Sequence, residues 1–409
     1  MVGELGAVLA RDAVRLGHPL GPRDAHLSAA MGWLCRAQDA VGGGGVSYGY
    51  ALRRMRDQKR RGWLTAYAET TGYIIPTFLD YYRLTGQDEY RARAIRMAHW
   101  EVDVQMDSGA VLAGPLDFPS APAIFNTGQV LFGWVAAFEE TGDEAFLAAA
   151  IRAADFLVKE QDDCAWKLGS PYAHCGVHTY DARVAWGLLE VARVVQEPAY
   201  KAAAICNLDF ALSRQTENGW FAECCLTDDE RPLLHTLAYT AEGLLAAGVM
   251  LDAPEYVDAA RTTADALLAL QRPNGDLAGR FDSAWRPAVK WSCLTGSAQT
   301  AVIWLRLFEL TGDGTYFDAA RRANLHLCTT QDLRAKWPGV RGGIKGSDPV
   351  WARYASFVYV NWAAKFFADA LMLDKRLEGQ RRGVASQTGT VSTRKTSAGC
   401  GEAQGPDAA

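Results

Sequence analysis

Six times along this 409-residue chain a helix-like segment runs into a glutamine and then a turn: Gln38, Gln105, Gln161, Gln215, Gln271 and Gln331. The gaps are 67, 56, 54, 56 and 60 residues. Three of the turns read Asp107-Ser-Gly, Glu217-Asn-Gly and Pro273-Asn-Gly, sequences that reverse a chain. A period of this length marks one supersecondary unit used repeatedly, each unit covering the apolar face of its neighbour.

The spacing makes that unit a pair of helices. Five glutamine-terminated helices carry an aromatic residue early, at Tyr90, Phe146, Tyr200, Tyr256 and Tyr316. Turns such as Thr141-Gly-Asp-Glu-Ala-Phe precede them, where Gly ends one helix and Asp caps the next. The segment from Phe146 to Leu157 is alanine-rich with apolar spacings of three and four, the pattern of an amphipathic outer helix. The partner helices carry Thr or Ser near their starts, at Thr71, Thr127, Thr179, Thr236, Thr295 and Ser356. They are apolar almost all round, as in Gln129-Val-Leu-Phe-Gly-Trp-Val-Ala-Ala-Phe, and such a helix belongs inside. Twelve helices alternating in this way predict an all-α (α/α)6 toroid, six inner helices wrapped by six outer ones. An open solenoid of helical hairpins ranks second, because the pairs are long and their loops irregular. The expected organisation is a lead-in over residues 1–24, a toroid catalytic domain over 25–374, and a disordered tail over 375–409. That tail is polar, Gly- and Ser-rich and aperiodic.

A net charge of −5 gives no general attraction to nucleic acid or to acidic membranes. Arg11, Asp12, Arg15 and His18 break any apolar leader in the first 25 residues, and no apolar run reaches bilayer length. The expectation is a cytoplasmic protein without membrane insertion. Nine scattered cysteines fit buried thiols in a reducing compartment better than a disulfide framework.

In such a ring the inner-helix N-termini converge at one end of a central funnel, with unsatisfied N–H groups suited to a carboxylate. Entry loops there hold Gly42 to Gly45 with Tyr48, then Trp63, Trp166, Trp220, Trp285 and the run from Trp337 to Lys345. Their rings are either flat faces for sugars or plugs of the core. The polar residues at the inner-helix starts are the sharpest constellation: Glu69 with Tyr73, Asn126 with Gln129, His178 with Tyr180, Asp181 and Arg183, His235 with Tyr239 and Glu242, then Gln299, and Arg353 with Tyr354, Tyr359 and Asn361. From these, His178, Tyr180, His235, Tyr239 and Glu69 are the candidate catalytic residues. Asn126, Gln129, Arg183, Glu242, Arg353, Tyr354, Trp63, Tyr48 and Lys345 are the candidate substrate-binding residues. A hydrogen-bonded network pinning the inner helices is the competing reading for any one of them. His174-Cys175-x-x-His178, Cys164 and Cys224-Cys225 raise the question of zinc. Adjacent cysteines sit poorly on one tetrahedral ion and no CxxC occurs, so no metal or cofactor is expected. No nucleophile elbow, P-loop or dinucleotide fingerprint is present.

Glu69-Thr-Thr-Gly-Tyr, Phe125-Asn-Thr-Gly-Gln-Val, Gly343-Ile-Lys-Gly-Ser-Asp-Pro-Val-Trp and the run from Tyr359 to Leu371 carry a resemblance over residues 25–374. The chain resembles carbohydrate-active (α/α) toroids: polysaccharide lyases, unsaturated glucuronyl hydrolases, the helical domain of glucuronyl C5-epimerases, and toroid proteins encoded with bacterial exopolysaccharide biosynthesis genes. The resemblance implies an acidic, uronate-containing polysaccharide or oligosaccharide as partner. The hydrolases of this shape are expected to carry Asp at successive inner-helix starts, where this chain reads Thr70-Thr-Gly-Tyr and Asn126-Thr-Gly-Gln. That departure favours β-elimination or C5 epimerisation in exopolysaccharide metabolism. Asn126 and Gln129 would hold the uronate carboxylate, and His178, Tyr180, His235 or Tyr239 would remove the C5 proton. A glycoside hydrolase using Glu69, Asp181 or Glu242, and a non-catalytic glycan-binding toroid, are the alternatives.

Overall fold

Five two-residue turns set the architecture of this computed structural model, which describes residues 3–55, 60–117, 121–168 and 176–392. After α1 (Glu4–Ala13) and α2 (Arg23–Asp39), inner and outer helices alternate. The pairs are α3 (Ala68–Thr85) with α4 (Asp88–Val104), α5 (Ile124–Thr141) with α6 (Glu144–Glu160), α7 (Ala182–Val195) with α8 (Pro198–Ser213), α9 (Leu234–Leu251) with α10 (Pro254–Leu270), and α11 (Leu294–Thr311) with α12 (Gly314–Thr330). Each inner helix ends on a left-handed residue: Gly86, Gly142 and Gly312 at φ 69°, 71° and 73°, and Gln196 and Asp252 at 57° and 54°. That conformation caps the helix and returns the chain along its outside.

The sixth pair joins the two ends of the chain. The last helix, α13 (Asn361–Ser392), packs on α2 outside it and on α11 and α3 beside it, so the ring closes. Neighbouring inner helices approach closely at glycines. A Cβ on Gly128 would lie 2.6 Å from a Val184 methyl, and one on Gly72 2.6 Å from the Val130 Cα. The predicted toroid is therefore present, with α1 added outside the twelve.

The glutamines are the ties of the outer ring. Gln105 donates to Gly109 O in its own turn (2.8 Å) and to Ala149 O on α6 (2.9 Å). Gln161 reaches Ala203 O on α8, Gln215 reaches Ala259 O on α10, and Gln271 reaches Ala319 O on α12. Gln331 crosses the closure to His26 O on α2 (3.2 Å) and also holds Gly342 O (2.7 Å), while Gln38 binds Arg93 O on α4. The repeated aromatics tie the same helices a turn or two away: Tyr200, Tyr256 and Tyr316 donate to Asp155, Asp209 and Asp265 of the preceding outer helix. Because Gln331 is fully buried, Gln331→Ala strands two carbonyls and the His26 imidazole that Oε1 contacts at 2.6 Å. The expected loss is about 1–3 kcal/mol in urea unfolding. A shift under about 0.5 kcal/mol would mean water replaces the tie.

Several expectations need correction. The lead-in docks on the ring through α1, which buries Glu4 and Asp12; Asp12 accepts from Lys345 Nζ (2.7 Å) and Val350 N (2.7 Å). The boundary at residue 375 falls inside α13, where Lys375 and Arg376 pair with Asp24 and Glu309. Residues 393–409 lie outside the described residues. Ser356 sits in a turn five residues ahead of α13 and does not open an inner helix. Cys164 and Cys206 are joined in a disulfide rather than being free thiols. Cys164 takes φ 65° in the turn after α6, which turns it onto α8, Cα to Cα 4.9 Å. Among the described residues only α9 is long and apolar enough to cross a membrane, and it lies buried in the ring.

Candidate active site

Repeated threonines anchor the funnel mouth. Thr71 Oγ1 accepts from Val46 N (2.9 Å) and Thr127 Oγ1 from Val111 N (3.0 Å), so the loops after α2 and α4 are pinned to the next inner helix. Between these loops lies a cavity of about 290 Å³, lined from five inner-helix starts and the loops above them. Its walls are aromatic. Tyr48 stacks on Trp362 (ring centroids 6.2 Å, 15°), His178 stacks on Tyr180 (4.7 Å, 9°), and Phe125 packs against Tyr180 and Tyr239. Such faces suit the apolar side of a sugar ring. Among the described residues lining the cavity there is no lysine or arginine.

Glu69, in the first turn of α3, lines this cavity. Desolvation pushes its carboxyl up to about 7, against the Tyr67 hydrogen bond and the Arg183 charge that favour the anion. Tyr67 Oη donates to Glu69 Oε2 (2.5 Å), and Asn126 Nδ2 donates to Tyr67 Oη (3.3 Å) and Leu112 O (2.7 Å). Asn126 therefore spends its amide hydrogens on positioning the acid, not on a substrate carboxylate. Asp181, the residue before α7, also lines the cavity, and burial holds its carboxyl well above the usual range.

His235 is the counterpart. Its Nδ1 lies 2.6 Å from Gln299 Oε1, and burial with the Arg183 charge brings its pKa down to about 4, despite the opposing Gln299 bond. With Oε1 as acceptor, Nδ1 carries the proton and Nε2 keeps its lone pair on the cavity side. Tyr354 packs 5.7 Å from the His235 ring and accepts the Trp362 indole N–H at Oη (2.9 Å), which leaves its own proton to donate. The cavity thus joins a carboxyl that is protonated near neutral pH to an imidazole that is not.

One turn deeper the chemistry is structural. Arg183 Nε donates to Gln129 Oε1 (2.7 Å), and a terminal nitrogen pairs with Glu242 Oε2 (2.5 Å). Phe132, Trp186, Tyr239 and Phe366 surround the guanidinium at 5.0–5.3 Å. Gln129, Arg183 and Glu242 floor the cavity without lining it, so the substrate-binding expectation for them is replaced by a plug that links α5, α7 and α9.

Of the remaining expected residues, His178, Tyr180, Tyr239, Tyr354 and Tyr48 line the cavity. Trp63 does not, because it packs on Trp33 and Tyr50. Arg353 is exposed away from the cavity, and Lys345 is buried between Asp12 and Asp348 elsewhere. Trp166, Trp220 and Trp285 are core plugs. Among the zinc candidates, His174 and Cys175 lie outside the described residues, Cys164 is in the disulfide, and burial pushes the Cys224 thiol up to about 12. Tyr67 and Trp362 were not anticipated. Tyr67, two residues before Glu69 and just ahead of α3, was the readable signal.

No protein-family model and no curated protein matches this sequence. Solved structures do match. The unsaturated glucuronyl hydrolase of Bacillus sp. GL1, responsible for degradation of glycosaminoglycan, is 16% identical over 86% of this chain and 96% of its own, with a TM-score of 0.68. An unsaturated glucuronyl hydrolase specific for heparin is 16% identical over 87% of this chain and 97% of its own, at 0.69. A polysaccharide lyase is 14% identical over 77% of this chain and 92% of its own, at 0.56. At these identities the likeness is one of fold.

Proposed function

Starting from the fold of the glucuronyl hydrolases and a lyase, we propose that this chain is a carbohydrate-active enzyme acting on a uronate-containing oligosaccharide. The observation that carries the reading is the reversed pair, Glu69 at about 7 and His235 at about 4, in one aromatic-walled cavity. At neutral pH the carboxyl donates and the imidazole accepts, as general acid–base catalysis requires.

The reaction is elimination at the uronic acid. His235 Nε2 takes the C5 proton, the C–H electron pair forms the C4–C5 double bond, and the C4–O bond breaks. Glu69 protonates the departing oxygen, so an unsaturated uronate and a shortened saccharide result without any co-reactant. Protonated Asp181 and the tyrosine hydroxyls supply donors to the uronate carboxylate in place of a cation. Return of a proton to the other face of C5, from Glu69 or Tyr354, gives epimerisation.

Hydrolysis of an already unsaturated uronate is the second reading, favoured by Glu69 itself: a carboxyl half-protonated at about 7 can protonate a vinyl ether. His235 would then take the proton of the attacking water. One experiment separates these readings. The protein is incubated with saturated and unsaturated glucuronate and galacturonate oligomers while the ultraviolet absorbance of the conjugated C4–C5 double bond and C5 deuterium are followed. Absorbance gained on saturated oligomers means elimination, deuterium without absorbance means epimerisation, and absorbance lost on unsaturated ones means hydrolysis. Silence in all three assays would overturn the catalytic reading and leave a glycan-binding toroid.

A further inference from the structure

A second cavity, of about 300 Å³, lies off the ring axis between α1, the end of α12 and the loop over residues 345–349. Its lining is more polar than that of the funnel. Most of its carboxylate oxygens are engaged: Asp12 and Asp348 hold Lys345 at 2.7 and 2.5 Å, and Asp276 Oδ2 holds Arg272 at 2.5 Å, while Asp276 Oδ1 lies 3.4 Å from His326 Nε2 without an aligned hydrogen bond. The cations outnumber the carboxylates. Arg11, Arg15 and Lys290 also line the cavity, and none forms an ion pair with a described residue. His326 Nε2 has no aligned hydrogen-bond partner there. On a chain of net charge −5 this is a local excess of positive charge around a concavity, which focuses an attractive field on anions.

We propose that this cavity is a binding site for a small anion carrying carboxylate or phosphate groups, held by Arg15, Lys290 and Arg11. Two features separate it from the funnel. Its lining holds cations without an ion-pair partner where the funnel's described lining holds no lysine or arginine, and the two cavities share no lining residue. Arginine offers two parallel N–H bonds to either acid group, and Lys290 adds a mobile charge at the rim. Lys345 is not a ligand, since its ammonium is consumed by two carboxylates. It instead fixes Asp12 and the loop, and so gives the cavity one stiff wall.

The test is calorimetric titration of the full-length protein with inorganic phosphate and, separately, with triglucuronate. Each is measured at low and high salt on wild type, Arg15→Ala/Lys290→Ala and His235→Ala. At least one anion should bind wild type and His235→Ala alike. The double variant should weaken that binding at least tenfold, and added salt should weaken it as well. Phosphate binding alone assigns a phosphate ligand. Triglucuronate binding that survives His235→Ala but not the double variant assigns a carboxylate one. Absence of binding, or binding indifferent to Arg15 and Lys290, overturns the site. Turnover by the double variant should equal wild type, so failure here leaves the funnel chemistry standing, and the reverse also holds.

Discussion

On a turned-over uronate oligosaccharide, kcat/KM is expected to describe a bell, rising through about pH 4 and falling through about pH 7. The lower limb is His235: below its pKa the ring is protonated and cannot take the C5 proton. The upper limb is Glu69: above its pKa the carboxyl is ionised and cannot donate. Both limbs follow from desolvation, which disfavours charge on an acid and on a base alike. Glu69→Gln keeps the shape but removes the proton, so activity should drop by about 10²–10⁴ and what remains should lose the alkaline limb. Tyr67→Phe is the finer probe. It deletes the hydrogen bond that favours the Glu69 anion, so the upper limb should move to higher pH. A profile with its upper limb unmoved by Tyr67→Phe and unaffected by Glu69→Gln would remove Glu69 from the reaction.

How much of this was legible depends on how local each cause is. The ring could be read because Gln105, Gln161, Gln215, Gln271 and Gln331 each do the same task, donating from the turn that closes one outer helix to a backbone carbonyl of the neighbouring outer helix, and that task recurs with the unit. The cavity face was legible because Glu69, Asn126 and His235 fall in the first turn of otherwise apolar helices. Depth was not. Gln129 is three residues after Asn126, and that single turn moves a side chain from the cavity wall into the floor. Arg183 and Glu242 share that fate. Nor could partners far away in sequence be seen: Lys345 reads as a ligand for an anionic substrate until Asp12, 333 residues earlier, is found bonded to it. The disulfide failed for the same reason, since the compartment argument weighed all nine cysteines together and only the turn after α6 selects Cys164 and Cys206.

Beneath the cavity, Glu242→Ala is expected to destabilise the ring by about 3–5 kcal/mol, because it leaves the Arg183 guanidinium buried without its counter-ion. Gln129 still accepts from Arg183 Nε, but one neutral acceptor does not offset a desolvated charge, and the surrounding rings offer only part of it. The cost arises from the stranded charge rather than from the value of the pair. Replacing both partners with apolar residues, as in Arg183→Met/Glu242→Leu, should therefore recover most of the loss in a urea unfolding cycle. A Glu242→Ala effect below about 1 kcal/mol would mean that Arg183 already reaches water. The plug also bears on the site above it. The Arg183 charge favours the Glu69 anion and neutral His235, so its removal in the double variant should raise both limbs of the pH profile. Stability restored with both limbs displaced upward would assign Arg183 a positioning role in addition to holding α5, α7 and α9 together.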